Sequence, residues 1–200
     1  MKPDFTDNIR HRESTWELKL MQPFGRQFWK NLYRYNKNII FNNKLKYLNY
    51  QIIRGTLKTN NIVNKWKNHV LPSCTFCQAE IEDIPHLFYN CPIVQNFLAT
   101  LTPLMNNLGI NWPPRTMTEF IFGNGNISPL CCQEYTYLYI KHFIWVSRCL
   151  GNNPELAAFR NKLYSAINID VHLHRGGEEG VVENAKFEFI GILADRIGIG

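Results

Sequence analysis

No apolar run in this 200-residue chain approaches the roughly 20 residues that a membrane-spanning helix needs. The polar N-terminus also lacks a signal-peptide pattern. Neither a glycine-rich phosphate loop nor a Ser/His/Asp set is present, so the common hydrolase and nucleotide-cleaving chemistries have no residues to run on. Acidic residues are scarce at one end. Residues 1–70 hold 14 Lys and Arg against 4 Asp and Glu, a net of +10, while the remainder hold 8 against 12, a net of −4. These absences point to a non-enzymatic intracellular protein, in the nucleus and/or cytoplasm, whose basic front half suits a polyanion partner.

Hydrophobic residues make up 45% of the chain and aromatics 14%, enough to bury a core in one domain or one and a half. Six cysteines in a small secreted chain would suggest a disulfide framework. Here the chain is too long and its cysteines too clustered for that, and a reducing compartment fits better. The cluster reads Cys74-x₂-Cys77-x₈-His86-x₄-Cys91. Zinc takes four soft or borderline ligands in a tetrahedron, which three thiolates and an imidazole supply. The short spacer lets Cys74 and Cys77 point into one turn whose N–H groups bond back to the sulfurs. Gln78 to Pro85 form a hairpin or loop that carries His86 and Cys91 across. With all four positions protein-filled, none remains for an activated water, so the site is structural. A redox dithiol shares the Cys-x₂-Cys spacing but does not account for His86 and Cys91. His69 is a competing fifth ligand, and His172-x-His174 a weaker metal pair. Cys131, Cys132 and Cys149 read as buried helical thiols, and His142 as a satisfied core histidine.

The apolar spacing predicts a mainly α fold, a small helical domain built around the zinc turn. Residues 1–23 read as a loosely ordered polar lead-in. Residues 24–168 form the zinc-binding domain, with basic helices at 24–70, the CCHC site at 71–92 and a helical half at 93–168. Residues 169–200 form a tail of uncertain order, turn-like from His172. Helices are expected at Phe24–Asn38 and, capped by Asn42 or Asn43 and stopped by Gly55, at about Lys44–Arg54. Thr59 or Asn60 caps a further helix with Ile62, Val63 and Trp66 on one apolar stripe. Pro92 starts another, interrupted near Pro103. Thr116 to Glu119 carries a capping-box pattern for a turn through Phe122. Residues 130–150 make a central buried helix broken only by Lys141 and Arg148, and Asn153-Pro154-Glu155 starts the last.

The chain resembles the C-terminal zinc-binding region of non-long-terminal-repeat, LINE-type retrotransposon reverse transcriptases. The matching pieces are Phe28-Trp29, Leu57-Lys58-Thr59-Asn60, Lys65-Trp66, the Cys74/Cys77 pair, His86-Leu87-Phe88 and Cys91. Phe120-Ile121-Phe122-Gly123-Asn124 and Lys141-x-x-Ile144-Trp145 with Arg148 extend the likeness, which covers about residues 24–168. The resemblance implies zinc on Cys74, Cys77, His86 and Cys91, and a role in holding element RNA or target DNA beside a polymerase. The polymerase's paired-aspartate motif and an endonuclease's acidic cluster are both missing, as in a truncated or domesticated element.

Lys44, Lys46, Arg54, Lys58, Lys65 and Lys67 are the expected nucleic-acid contacts, with Tyr33, Tyr35, Tyr47 and Trp66 as stacking surfaces. The plainer alternative makes those aromatics core and those cations a solvated face. A second functional class is a zinc-stapled protein-interaction module that meets a partner or the rest of a reverse transcriptase.

Overall fold

The computed structural model describes residues 5–38, 42–123 and 132–174. Among them the fold is mainly helical, as the spacing predicts. Two helices, α1 (Phe5–Leu20) and α2 (Arg26–Asn38), are followed by α3 (Asn43–Ile53) and the short α4 (Asn60–Asn64). A single π-helical turn (His86–Asn90) leads into α5 (Pro92–Thr100), α6 (Thr102–Asn107) and α7 (Met117–Phe122). The last two are the long α8 (Cys132–Leu150) and α9 (Leu156–His174). The β-structure among the described residues is one isolated antiparallel bridge, Ser73 to Ile81.

The reading of residues 1–23 as a loose lead-in is corrected by α1. Its apolar signal is too sparse to register as a stripe, because one side chain does most of the anchoring. Trp16 is 3% exposed, and its indole N–H donates to the Ile53 carbonyl at 3.0 Å. Its ring meets Phe122 edge-on at 5.0 Å. Glu17 then accepts from the Phe24 N–H at 3.1 Å and the Trp29 indole at 3.2 Å, which turns the chain into α2. Phe24, Phe28, Trp29 and Phe122 complete an aromatic cluster of edge-to-face and stacked pairs, each such pair adding about 0.5–1.5 kcal/mol beyond its area burial.

Asn42 caps α3 as expected, its side-chain oxygen accepting from the N–H groups of Lys44 and Leu45. Gly55 ends the helix at φ +61°, and a Cβ there would stand 3.6 Å from the Trp16 indole nitrogen. That distance is ordinary van der Waals contact, so it is the left-handed turn that favours glycine. Leu45, Leu48, Ile52 and Ile53 are buried as α3 packs on α2 and α8. The expected stripe on α4 does not hold. None of its residues is buried, and Trp66, beyond its end, is 69% exposed. Five residues make too short a helix to present a face, so polar anchors hold it instead.

Pro103 separates α5 from α6 as expected, with the break at Leu101. Thr116 caps α7 by accepting from the Glu119 N–H at 3.1 Å, while Glu119 reaches back to the Arg115 N–H rather than to the cap residue itself. Helix α8 is central, touching α3, α7 and α9. Its Tyr137, Ile140 and Ile144 are almost wholly buried. The two charges that seemed to interrupt it both turn inward. Lys141 donates to the Ile121 carbonyl of α7 at 2.6 Å, and burial depresses its ammonium to about pKa 7 against the opposing pull of Glu134. Arg148 reaches the zinc turn. Cys149, read as buried, is exposed at the end of α8. Helix α9 runs to His174, so the turn expected from His172 is not found there. Cys131, Asn124 and residues 175–200 lie outside the described residues.

Candidate metal centre and its basic surroundings

The turn after Cys74 closes with the Gln78 N–H on the Cys74 carbonyl at 2.9 Å, Gln78 sitting at φ +58°. Strand-like bonds from Cys74 N–H to the Glu80 carbonyl and from Glu82 N–H to the Pro72 carbonyl, both 2.8 Å, fold residues 72–82 into a small hairpin. The backbone N–H groups of Phe76 and Cys77 point at the Cys74 sulfur, and those of Ala79 and Glu80 at the Cys77 sulfur. This is the expected knuckle.

His86 and Cys91 come from the π-helical turn, where the Cys91 N–H reaches the His86 carbonyl at 2.8 Å. In an α-helix, at about 100° per residue, five residues would carry Cys91 some 140° round from His86. The wider i→i+5 turn brings the two back toward one side. Asp83 starts this segment, its carboxylate accepting from the His86 N–H at 3.0 Å. Leu87 and Phe88 are fully buried and fix the turn in the core.

The Sγ atoms of Cys74, Cys77 and Cys91 and a ring nitrogen of His86 all lie within 4.8 Å of one another. Cys74 Sγ is 3.8 Å from Cys91 Sγ, and Cys77 Sγ is 3.3 Å from His86 Nε2. A tetrahedron with zinc–sulfur bonds of about 2.3 Å has sulfur–sulfur edges of about 3.8 Å, so the set fits zinc. Nε2 is the nitrogen that faces the thiols. Burial pushes the Cys74 thiol up to about 12 despite its two N–H bonds, with Cys91 adding to the rise. Burial also opposes ionisation of Cys77, but the Glu80 and Ala79 N–H groups, His86 and Cys74 bring it down to about 6. Cys77 is thus readier to ionise than Cys74, whose proton leaves as metal enters. The bound ion would supply a cross-link, with no open position for chemistry.

Glu82, which the sequence reading passed over, joins this knuckle to α4 before it and α8 after it. One carboxylate oxygen accepts from the Asn60 N–H at 2.8 Å and from Arg148 at 2.8 and 3.0 Å. The other accepts from the Thr75 N–H at 2.8 Å, inside the Cys74–Cys77 turn. Asn60 closes the network, donating to the Ser73 carbonyl at 2.8 Å and accepting from Arg148 at 2.6 Å. Burial would raise the Glu82 carboxyl, but Arg148 and the Thr75 and Asn60 N–H groups hold it below the usual range. The signal available in sequence was indirect: an acid inside the ligand loop, and Asn60 and Arg148 among the residues carrying the family likeness.

The six basic residues expected to meet nucleic acid line different hollows or stand exposed. Arg54 and Lys65 line a common cleft beside the knuckle. Lys44 lines a cavity of about 270 Å³ with His142 and Lys162, and Lys46 borders an open groove with Tyr47 and Tyr50. Lys58 and Lys67 are exposed. Of the aromatics proposed for stacking, Tyr35 is buried and Tyr33 half-buried against the core, while Tyr47 and Trp66 are exposed. His142 is half-buried, not a core residue, and burial together with Lys162 and Lys44 lowers it to about 4.

Among the described residues no helix is long and apolar enough to cross a membrane. No curated protein matches the chain. A family described as zinc-binding in reverse transcriptase matches residues 11–97, a span that starts inside α1 and takes in all four clustered ligands. That family describes a zinc-binding region and not a catalytic domain, and the match together with the geometry above supports a zinc-binding domain of mainly helical build.

Proposed function

We propose that this is a non-catalytic, zinc-stapled domain that binds RNA or DNA, with Cys74, Cys77, His86 and Cys91 as the ligands. The observation that carries the reading is the net charge of +10 on residues 1–70, the segment that leads into the knuckle and is bonded to it through Asn60 and Glu82 at the start of α4. Lys44, Lys46, Arg54, Lys58, Lys65 and Lys67 contribute phosphate contacts, and exposed Tyr47 and Trp66 offer faces on which bases can stack. On this reading the domain, similar to the zinc-binding region of a LINE-type reverse transcriptase, positions nucleic acid and carries no chemistry of its own.

Titration of labelled RNA and DNA at several salt concentrations tests it. Affinity is expected to fall with salt at a log–log slope of about −0.9 per phosphate neutralised for duplex or −0.7 for single strands. Charge reversal at Lys44, Lys46, Lys65 and Lys67 together is expected to abolish binding, and salt-independent affinity would overturn the reading. A protein-interaction module is the second reading, favoured by two exposed apolar side chains, Trp66 at 69% and Leu71 at 74%. Under it, the same charge reversal leaves partner capture intact.

A further inference from the structure

Beside the knuckle, α1, the link from α3 to α4 and the Asp83–Ile84 segment enclose a cleft of about 290 Å³. Four cations line it: Arg12 and Lys19 from α1, Arg54 at the end of α3 and Lys65 at the end of α4. Its one acid, Asp83, is engaged twice, by the Lys19 ammonium at 3.1 Å and by the His86 N–H at 3.0 Å. Thr59 also lines the cleft, fully buried, its hydroxyl without a hydrogen-bond partner.

That hydroxyl is anomalous for its position. Thr59 stands where a side chain normally caps a helix, yet it makes no cap bond. Glu82 has taken over, its carboxylate holding the Asn60 N–H at 2.8 Å and its carbonyl the Asn61 N–H at 3.2 Å. A buried hydroxyl left unpaired costs about 1–3 kcal/mol, which an acceptor seated in the cleft would relieve. Converging cations, a spare donor and room for a small group describe an anion site.

We propose that this cleft is a phosphodiester subsite, seating one backbone phosphate of the bound nucleic acid against the zinc knuckle. It deepens the nucleic-acid reading and rests on it. Arg12, Lys19 and Thr59 are added to the contact set. Because Asp83 both lines the cleft and holds His86, the metal turn sets the shape of one wall.

The experiment compares the zinc-loaded wild-type chain, the double variant Arg12→Gln/Lys65→Gln, and a control that removes equal charge elsewhere, at the exposed pair Arg115→Gln/Arg160→Gln, on labelled RNA and DNA oligonucleotides. The cleft variant is expected to bind about tenfold or more weakly, with a salt slope reduced by about 1 per lost phosphate contact. The control is expected to stay within about twofold of wild type, since non-specific charge alone is screened over about 8–10 Å. Zinc content and melting temperature report folding. Should Arg12→Gln disturb it, Lys65→Glu alone, at an exposed position, carries the same expectation. Equal losses in cleft and control variants, with wild-type binding intact, would overturn the subsite and leave the broader reading standing. Absence of wild-type binding to either nucleic acid would overturn both.

Discussion

The knuckle at residues 72–91 and the bundle around α8 are held together by different physics. The bundle buries Tyr137, Ile140, Ile144, Phe120 and Phe159 in one apolar core, and area burial of that kind needs no partner from outside the chain. The knuckle has short backbone bonds, a fully buried Glu82 and four converging ligands. Its three thiols repel as they ionise unless a cation sits among them. Its apolar contribution is confined largely to Cys74, Ile84, Leu87 and Phe88. The bundle, with α1 to α3 packed into it, is therefore the platform, and the knuckle a metal-conditional arm attached to it. Arg148 on α8 and Asn60 on α4 meet at Glu82, which is where the two regimes are coupled.

The contrast is sharpest when a ligand is removed. Cys91→Ser is expected to abolish zinc binding, a loss on the order of the 10–16 kcal/mol that closed zinc sites supply. Limited proteolysis should then cut within about residues 60–92 while far-ultraviolet circular dichroism keeps most of its helical signal. Loss of all helix together would mean the bundle has no stability of its own. A smaller effect is expected at the coupling point. Glu82→Gln leaves the Arg148 cation without its partner and should cost on the order of 3 kcal/mol at neutral pH. Because the folded carboxyl lies below its ordinary value of 4.5, its contribution is complete above that pH and is lost as pH falls through the folded value. Denaturant melts of both proteins at stepped pH should show their stability gap narrowing in acid. Ligand protonation is common to both and cancels in the comparison. A gap that stays constant would contradict the buried ion pair.

How much of this could be read beforehand follows the same division. The ligand set was legible because metal sites repeat a spacing, and its four residues do converge. The helices with dense apolar spacing or clear caps were legible too, as at Asn42, Gly55, Pro92 and Thr116. What escaped was carried by single residues. Helix α1 hangs on Trp16, too little to create a stripe. Lys141 and Arg148 read as interruptions of α8 because a sequence cannot say that a charge will find a carbonyl of α7 or a carboxylate 66 positions away. The exposure of Trp66 and Cys149 reflects the same limit, since apolar character predicts burial only where a neighbour exists to cover it.

Elemental analysis of the chain, purified under reducing conditions without chelator, measures the central claim most directly. One zinc per chain is expected, lost together with nucleic-acid binding when a strong chelator is added. Correctly folded protein that carries no zinc, and whose melting curve ignores the chelator, would contradict the account.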